Sequence, residues 1–495
     1  MLKKRLIKNL VFFYVIIFIG DIMKKFIPNK YICYLYFLIP LIINAVISYS
    51  SNEDIWYIMR YGKLILENGF IHTDMLSIHS GLHIVIQQSF SCVIFHLIYS
   101  YLGNYGFFLL CEILVGLYLY VMYKICMLLS NKKVLLSVLI STITCTLLEI
   151  NFITPRPQIF TFLNLLIVMY IMEKFYKNNK SKLIYFLPLI SLLQINLHAS
   201  LWYSLFLFIL PYVVQLILNK NKCVFKIIII MVIMFLIGFI NPYTYENVFF
   251  PFTVYDTTIN KYIMELFPIS IFGSDRPVMM FSIYFYVIFS IVLLIYIYHK
   301  KGKLELRHLL LFGGTTVLAL MHIRSIPLFI LGTLPPLANY LKDMKWSIKD
   351  EYVNTKTCWI IMILLILILA VFNNNRLASG VEKGGNYLKN NYDKNIVVYT
   401  NLDYGSYIEY LGFHSYFDTR AEVFLKKANK KEDIFKEAME MEYKCTNYNK
   451  FINKYKFTHM VVNKKTCLYY YLKNDNIKII FNDKKYAIFE LEKKY

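Results

Sequence analysis

The chain has 495 residues, of which 58% are hydrophobic and only 17% charged, and its mean hydropathy is +0.50. An ordinary soluble domain carries about a quarter charged residues, so a water-soluble globular protein is excluded. The net charge of +22 does not mark a nucleic-acid binder, because the Lys and Arg residues form short runs between apolar blocks and not one stripe with interleaved aromatics.

Residues 1–30 form a basic, apolar N-terminal segment. Within it, 6–20 is apolar but short and flanked by lysines, which fits an extra span, an interfacial helix or an uncleaved signal-like segment. Residues 31–372 read as a transmembrane domain. About eleven apolar helices are expected, at 31–49, 105–124, 134–150, 158–172, 183–199, 201–218, 227–241, 278–298, 309–322, 325–341 and 357–372. Lipid offers no partner for loose backbone groups, so these segments must be helical.

The basic residues orient the chain. Five connections hold the clusters Lys124/Lys132/Lys133, Lys174/Lys177/Lys180/Lys182, Lys220/Lys222/Lys226, Lys300/Lys301/Lys303/Arg307 and Lys342/Lys345/Lys349/Lys356, and are assigned to the cytoplasm. The opposite connections hold only Arg60, Lys63, Arg156, Lys261, Arg276 and Arg324. The first loop, 50–104, is therefore outside. Its segment 82–102 carries Gln87 and Gln88 and reads as an amphipathic helix on the outer surface.

Residues 373–495 form an extracytoplasmic α/β domain. A helix over 382–391 is followed by strand NIVVYT, a short helix in NLDYGSYIEYLG, strand SYFD and helices across 428–455. Strand THMVV and the hairpin IKIIF/YAIFELE complete it, with NDKK as the turn. Of nine cysteines, seven lie in or beside spans and read as small buried hydrophobes, while Cys445 and Cys467 share the outer domain, where pairing is left open. No phosphate-binding or metalloprotease motif is present, which argues against an ATP-driven pump.

With this topology the unusual polar residues fall at the outer ends of the spans. The first loop supplies Glu53, Asp54, Arg60 and Asp74; TPRPQ supplies Arg156 and Gln158; INLHAS supplies Asn196 and His198. Glu265 and the pair His322 and Arg324 follow. Ionisable groups at membrane depth are costly and usually mark a site. A carboxylate with Arg and His arriving from other helix ends suggests a cavity with a general base and cations for a phosphate-bearing lipid. Each residue alone has a plainer role: Asp54 as a loop acid or helix cap, the arginines as headgroup anchors, the histidines as interhelical hydrogen bonds. In the outer domain Asp403, Tyr404, Gly405, Asp418 and Arg420 sit at strand and turn ends. There Gly405 is expected to supply a backbone conformation other residues resist, and Asp418/Arg420 reads first as a structural pair.

The order of these motifs resembles the GT-C class of membrane glycosyltransferases, in particular a poorly characterised bacterial family. The likeness rests on Asp54-x-Trp56, Gly62-x-x-Ile65, Arg156-Pro157, Asn196-x-His198, Asn241-Pro242-Tyr243 and Asp418-x-Arg420. Asp403-Tyr404-Gly405 is similar to the core of a motif in oligosaccharyltransferase catalytic subunits, but Asn401 and Leu402 stand where that motif has tryptophans. The resemblance implies a sugar transferred from a polyprenyl-phosphate donor to an envelope acceptor at the outer face, with no nucleic acid involved. It makes Asp54 the catalytic carboxylate and Glu53 a second acid. Arg156, His198, His322 and Arg324 would hold the donor phosphate; Asp403, Tyr404, Gly405, Asp418 and Arg420 would lie on the acceptor side. Some members of the class bind a divalent metal ion, for which Glu53 and Asp54 offer one or two ligands and no full shell. A transporter or flippase, a lipid-linked polysaccharide polymerase or ligase, and a noncatalytic envelope protein are the competing readings.

Overall fold

The computed structural model describes residues 29–46, 53–254, 259–269, 304–343, 377 and 379–491, with twelve positions between 284 and 299. Residues 6–20, the span expected at 357–372 and ten of the 21 positions of that expected at 278–298 lie outside the described residues.

The membrane part is helical. A 3-10 segment, Asn29–Phe37, runs into α1, Leu38–Val46, and α2, Asp54–Asn68, opens the first loop. Next come α3 (Ser89–Leu129), α4 (Val134–Phe152), α5 (Gln158–Lys177), α6 (Leu187–Leu197), α7 (Tyr203–Leu218) and α8 (Val224–Ile237). Then follow α9 (Tyr245–Val254), α10 (Leu306–Met321) and α11 (Ile326–Tyr340). Among the described residues, three stretches are long and apolar enough to cross a membrane unaided: Ser89–Leu129, Gln158–Lys177 and Ala199–Leu218. Shorter apolar helices stand at most of the other expected spans. The side chains that α8 leaves exposed, such as Ile229, Val232 and Leu236, are apolar, as a lipid-facing surface requires. This is the helical body of a multi-pass membrane protein.

The expected surface helix begins later than the sequence suggests. Leu82, Ile84 and Ile86 are buried while the residues between them are not, a period of two that makes 82–86 extended, and Thr73 bridges His83. The helix starts at Ser89 and runs past a kink at Gly103, where φ is 58°, into the span that follows.

Residues 379–491 form a five-stranded mixed sheet with helices. The strands are β1 (Val397–Tyr399), β2 (His414–Ser415), β3 (His459–Asn463), β4 (Lys478–Asn482) and β5 (Tyr486–Glu490). Their order is β2-β1-β3-β5-β4; β1 is parallel to β2 and β3, and β5 is antiparallel to β3 and β4. The helices are α12 (Glu382–Asn391), α13 (Gly405–Tyr410), α14 (Lys426–Asn429), α15 (Ile434–Tyr443), α16 (Tyr448–Tyr455) and α17 (Cys467–Asn474). Helix α17 was not expected. Cys445 and Cys467 are joined in a disulfide, with Cα atoms 6.1 Å apart.

Gly405 needs correction in its reason. Its φ is not positive; instead a Cβ there would stand 2.0 Å from the Phe417 carbonyl oxygen and 2.8 Å from the Asp418 Cα. Close approach of α13 to the segment that follows β2, and not an unusual backbone angle, demands glycine.

The first loop docks this sheet unit. The Trp56 ring lies 4.8 Å from that of Tyr407 and 5.0 Å from that of Tyr410. Ser77 bridges Ser415, and the Ile78 N–H donates to the Ser415 carbonyl at 2.9 Å, covering the open edge of β2.

Candidate active site

Asp54 is the first residue of α2, so its carboxylate stands at a helix N-terminus, where backbone N–H groups favour negative charge. Arg156 reaches it from the link between α4 and α5. Pro157 follows as the residue flanking the start of α5, where its missing N–H costs nothing, and this places Arg156 at the mouth of the span. Arg156 donates through Nε to Asp54 Oδ2 at 2.9 Å and through Nη2 to the same oxygen. Its Nη1 donates to Glu265 Oε1 at 2.7 Å. One guanidinium is thus held between two carboxylates, with about a quarter of its side chain exposed.

The segment carrying Glu265 is pinned to the turn that carries Arg324. His322 Nδ1 donates to the Leu266 carbonyl at 2.9 Å, and the Ile323 N–H donates to that of Phe267 at 3.0 Å. Arg324 itself is exposed and has no hydrogen bond or ion pair within the described residues. His198, at the end of α6, lies within electrostatic reach of both Arg324 and Arg156. Gln194 Nε2 donates to Thr161 Oγ1 at 2.8 Å, which leaves the Thr161 proton for His198 Nδ1, also at 2.8 Å. Nε2 then carries the proton of the neutral ring and donates to Ser200 Oγ at 2.9 Å.

Glu53 stands beside Asp54 but turns the other way. Its two oxygens accept from the Gly380 N–H at 2.7 Å and from Ser379 Oγ at 2.8 Å. Burial, with Asp403 and Asp54 nearby, lifts its pKa to about 7 against those hydrogen bonds. Asp403 is raised too, by desolvation and then by Asp54, which puts α13's approach loop on the same rim. Tyr404 is buried against Tyr486. Sequence reasoning missed two further groups. Glu422 accepts from Gln87 Nε2 at 3.4 Å, and burial followed by Asp54 raises it; Tyr57 accepts from Gln88 Nε2 at 3.1 Å and feels the charges of Asp54, Glu422 and Arg156. The adjacent Gln87 and Gln88, odd in an apolar run, were the available signal.

Other candidates lie elsewhere. Asp74, Asp418 and Arg420 form a buried network: Arg420 Nη1 donates to Asp74 Oδ1 at 2.6 Å, and Nη2 to Asp418 Oδ2 at 2.5 Å and Glu409 Oε1 at 3.3 Å. The Tyr61 hydroxyl also accepts from Arg420. Burial raises Asp74, but the Arg420 charge and the bonds from Ser77 outweigh it and hold the carboxyl at about 2. These residues lock the first loop to the sheet unit. Arg60 lies near His96 and Tyr410, and among the described residues its Nε has no hydrogen-bond partner. Gln158 donates to the Phe152 carbonyl at 3.1 Å and Asn196 to that of Ile240 at 3.0 Å, both tying helix ends.

Not all membrane-buried charge collects at one end. Glu173 Oε2 accepts from Arg307 Nη1 at 2.9 Å, and its Oε1 from His308 at 3.0 Å and from the Tyr212 hydroxyl at 2.9 Å. Glu112 accepts from Asn44 at 2.8 Å within the bundle. Arg307 had been counted with a lysine cluster, and Glu173 lies one residue past the span expected for α5.

The acids near Asp54 do not make a metal site in this arrangement. Asp54 Oδ2 takes two N–H donors of Arg156, both Glu53 oxygens are engaged, and among the described residues no three His, Cys, Asp or Glu side chains converge on one point.

No family model and no curated protein matches the chain. Solved structures do match. An Archaeoglobus fulgidus oligosaccharyltransferase in its apo form is 10% identical with a TM-score of 0.54, over 88% of this chain and 70% of that one. The same enzyme with Zn and sulfate is 11% identical with a TM-score of 0.54, over 86% and 68%. ArnT from Cupriavidus metallidurans bound to undecaprenyl phosphate is 11% identical with a TM-score of 0.53, over 93% of this chain and 98% of that one. The fold is the GT-C fold of these glycosyltransferases, as the order of motifs suggested.

Proposed function

We propose that this chain is a glycosyltransferase that moves a sugar from a polyprenyl-phosphate donor to an acceptor at the extracytoplasmic face of the membrane. The observation that carries the reading is Arg156, shared by Asp54 and Glu265 at the mouth of the helical body, with His198 in reach of both Arg156 and Arg324. The ArnT of the same fold holds undecaprenyl phosphate, and the disulfide fits an oxidising compartment for the sheet unit.

The chemistry follows from exchange of partners. The donor phosphate displaces Glu265 and takes over Arg156, with Arg324 as a second cation. Arg156 leaving Asp54 frees Oδ2 to act as a base. The acceptor O–H or N–H attacks the anomeric carbon, and its proton goes to Asp54. The bond from that carbon to the phosphate oxygen breaks, and polyprenyl phosphate leaves with the electron pair. Arg156 stabilises the charge that develops. No step requires a metal ion.

The test is binding of undecaprenyl phosphate to the protein in nanodiscs. Arg156→Gln is expected to weaken it at least tenfold, and Glu265→Gln to tighten it, since a competing carboxylate is removed. Unchanged affinity in both variants would refute the assignment.

A further inference from the structure

The sheet unit is divided by charge. Residues 379–443 hold nine basic and eleven acidic side chains, whereas residues 444–485 hold ten lysines and only two acids, Asp475 and Asp483. Ion pairs use little of this charge. Lys454 is held by Glu437 at 2.9 Å and Lys478 by Glu490 at 2.6 Å, and the other eight lysines pair with no carboxylate among the described residues. Two contacts gather part of the excess. The Cys445–Cys467 disulfide keeps the Cα atoms of Lys444 and Lys465 within about 18 Å, the limit set by chain length. The rings of Tyr448 and Tyr471 stack at 5.2 Å and tie α16 to α17, with Lys473 two residues further on. In this patch Lys444, Lys450, Lys464, Lys465 and Lys473 outnumber the acids Glu440, Glu442 and Asp475. Glu442 accepts from Asn401 at 3.3 Å, and Asp475 from the Tyr448 hydroxyl. Tyr443 and Tyr470 are 65% and 59% exposed beside these lysines in sequence.

We infer that this patch binds a linear acidic polysaccharide, a partner beyond the transfer chemistry, since the patch shares no residue with the donor site. Its charge is spread over separate lysines and not focused in a cavity, which suits a chain of repeated anionic units better than one small anion. Exposed tyrosine rings offer their faces to the C–H side of sugar rings. A lipid surface would call for exposed aliphatic side chains, whereas the large apolar side chains exposed in 443–485 are three tyrosines and Ile479. The disulfide fits an oxidising compartment, which favours a polysaccharide over a nucleic acid. One end of the patch approaches the donor site: the Tyr443 ring stands 5.7 Å from that of Tyr262, three residues before the Glu265 that holds Arg156.

The experiment titrates fluorescent decagalacturonate and neutral maltodecaose onto the full chain in neutral-lipid nanodiscs. Decagalacturonate is expected to bind at least tenfold more tightly, and to lose affinity as salt is raised. Lys444→Gln/Lys465→Gln/Lys473→Gln removes that preference. Lys394→Gln/Lys426→Gln/Lys436→Gln, which neutralises three exposed lysines of the acidic part, keeps it. Equal binding of the two saccharides, or equal loss in the two triple variants, overturns the inference. An oligothymidylate of the same length that binds more tightly than decagalacturonate would assign the patch to nucleic acid and overturn it. Displacement of decagalacturonate by an equal concentration of short-chain phosphatidylglycerol would assign it to headgroups, with the same result. Undecaprenyl phosphate should bind the first triple variant as before; its loss together with decagalacturonate would mean a general defect and would not support the patch.

Discussion

Two adjacent acids show how much of the chemistry is decided by neighbours. Asp54 faces a guanidinium, whereas Glu53 is buried under the backbone of residue 380 and close to Asp403. A carboxyl held near 7 in the folded protein, above its ordinary value, contributes stability that is full below the ordinary range and is lost as pH rises through about 7. Raising the pH from 6 to 8 should therefore lower the stability of the folded chain, because burial opposes the charge more than the bonds from Gly380 and Ser379 favour it. The midpoint of thermal unfolding should fall over that interval, and by less in Glu53→Gln. Equal shifts in the two proteins would show that Glu53 does not titrate there. Sequence could place both acids at the start of the first loop. It could not divide their roles, because the partners lie about 100 and 330 residues away and are set by the fold.

At the scale of elements, hydropathy read most described spans to within a few residues because lipid permits only helix. It failed where burial changed its period. Residues 82–86 are apolar enough for a helix, but their alternating burial marks an extended segment. It also failed at α17, whose tyrosine-rich run has little distinctive pattern. The Asp418-x-Arg420 motif was legible as a pair but not as a lock, since Asp74 and Tyr61 come from the first loop. Replacing Arg420 with Met would leave Asp74 and Asp418 buried without a counter-charge, at a cost of about 3–5 kcal/mol. Thermal unfolding of the sheet unit should shift down accordingly, and an unchanged midpoint would mean that the network contributes nothing to docking.

For the whole molecule, the direction of the chain rests on basic residues, and the disulfide gives an independent handle on it. In intact cells, a membrane-impermeant maleimide should label Cys445 and Cys467 only after reduction. Labelling that required permeabilised membranes would put the sheet unit on the other side and detach the donor site from the face proposed for it. A helical body ahead of a small terminal α/β unit was readable from composition and order alone, and the described residues have that arrangement. What sequence could not supply was the closing of the loop onto the sheet unit, through which Glu53, Asp54, Asp403 and Glu422 come to share one rim.

The central claim is that Asp54 is the base of a sugar transfer, and the direct measurement is transfer from a polyprenyl-phosphate sugar in reconstituted vesicles. Asp54→Asn should reduce the rate by at least a hundredfold while leaving expression in place and undecaprenyl phosphate binding undiminished, since it removes a carboxylate that competes for Arg156. Full transfer by that variant would contradict the account.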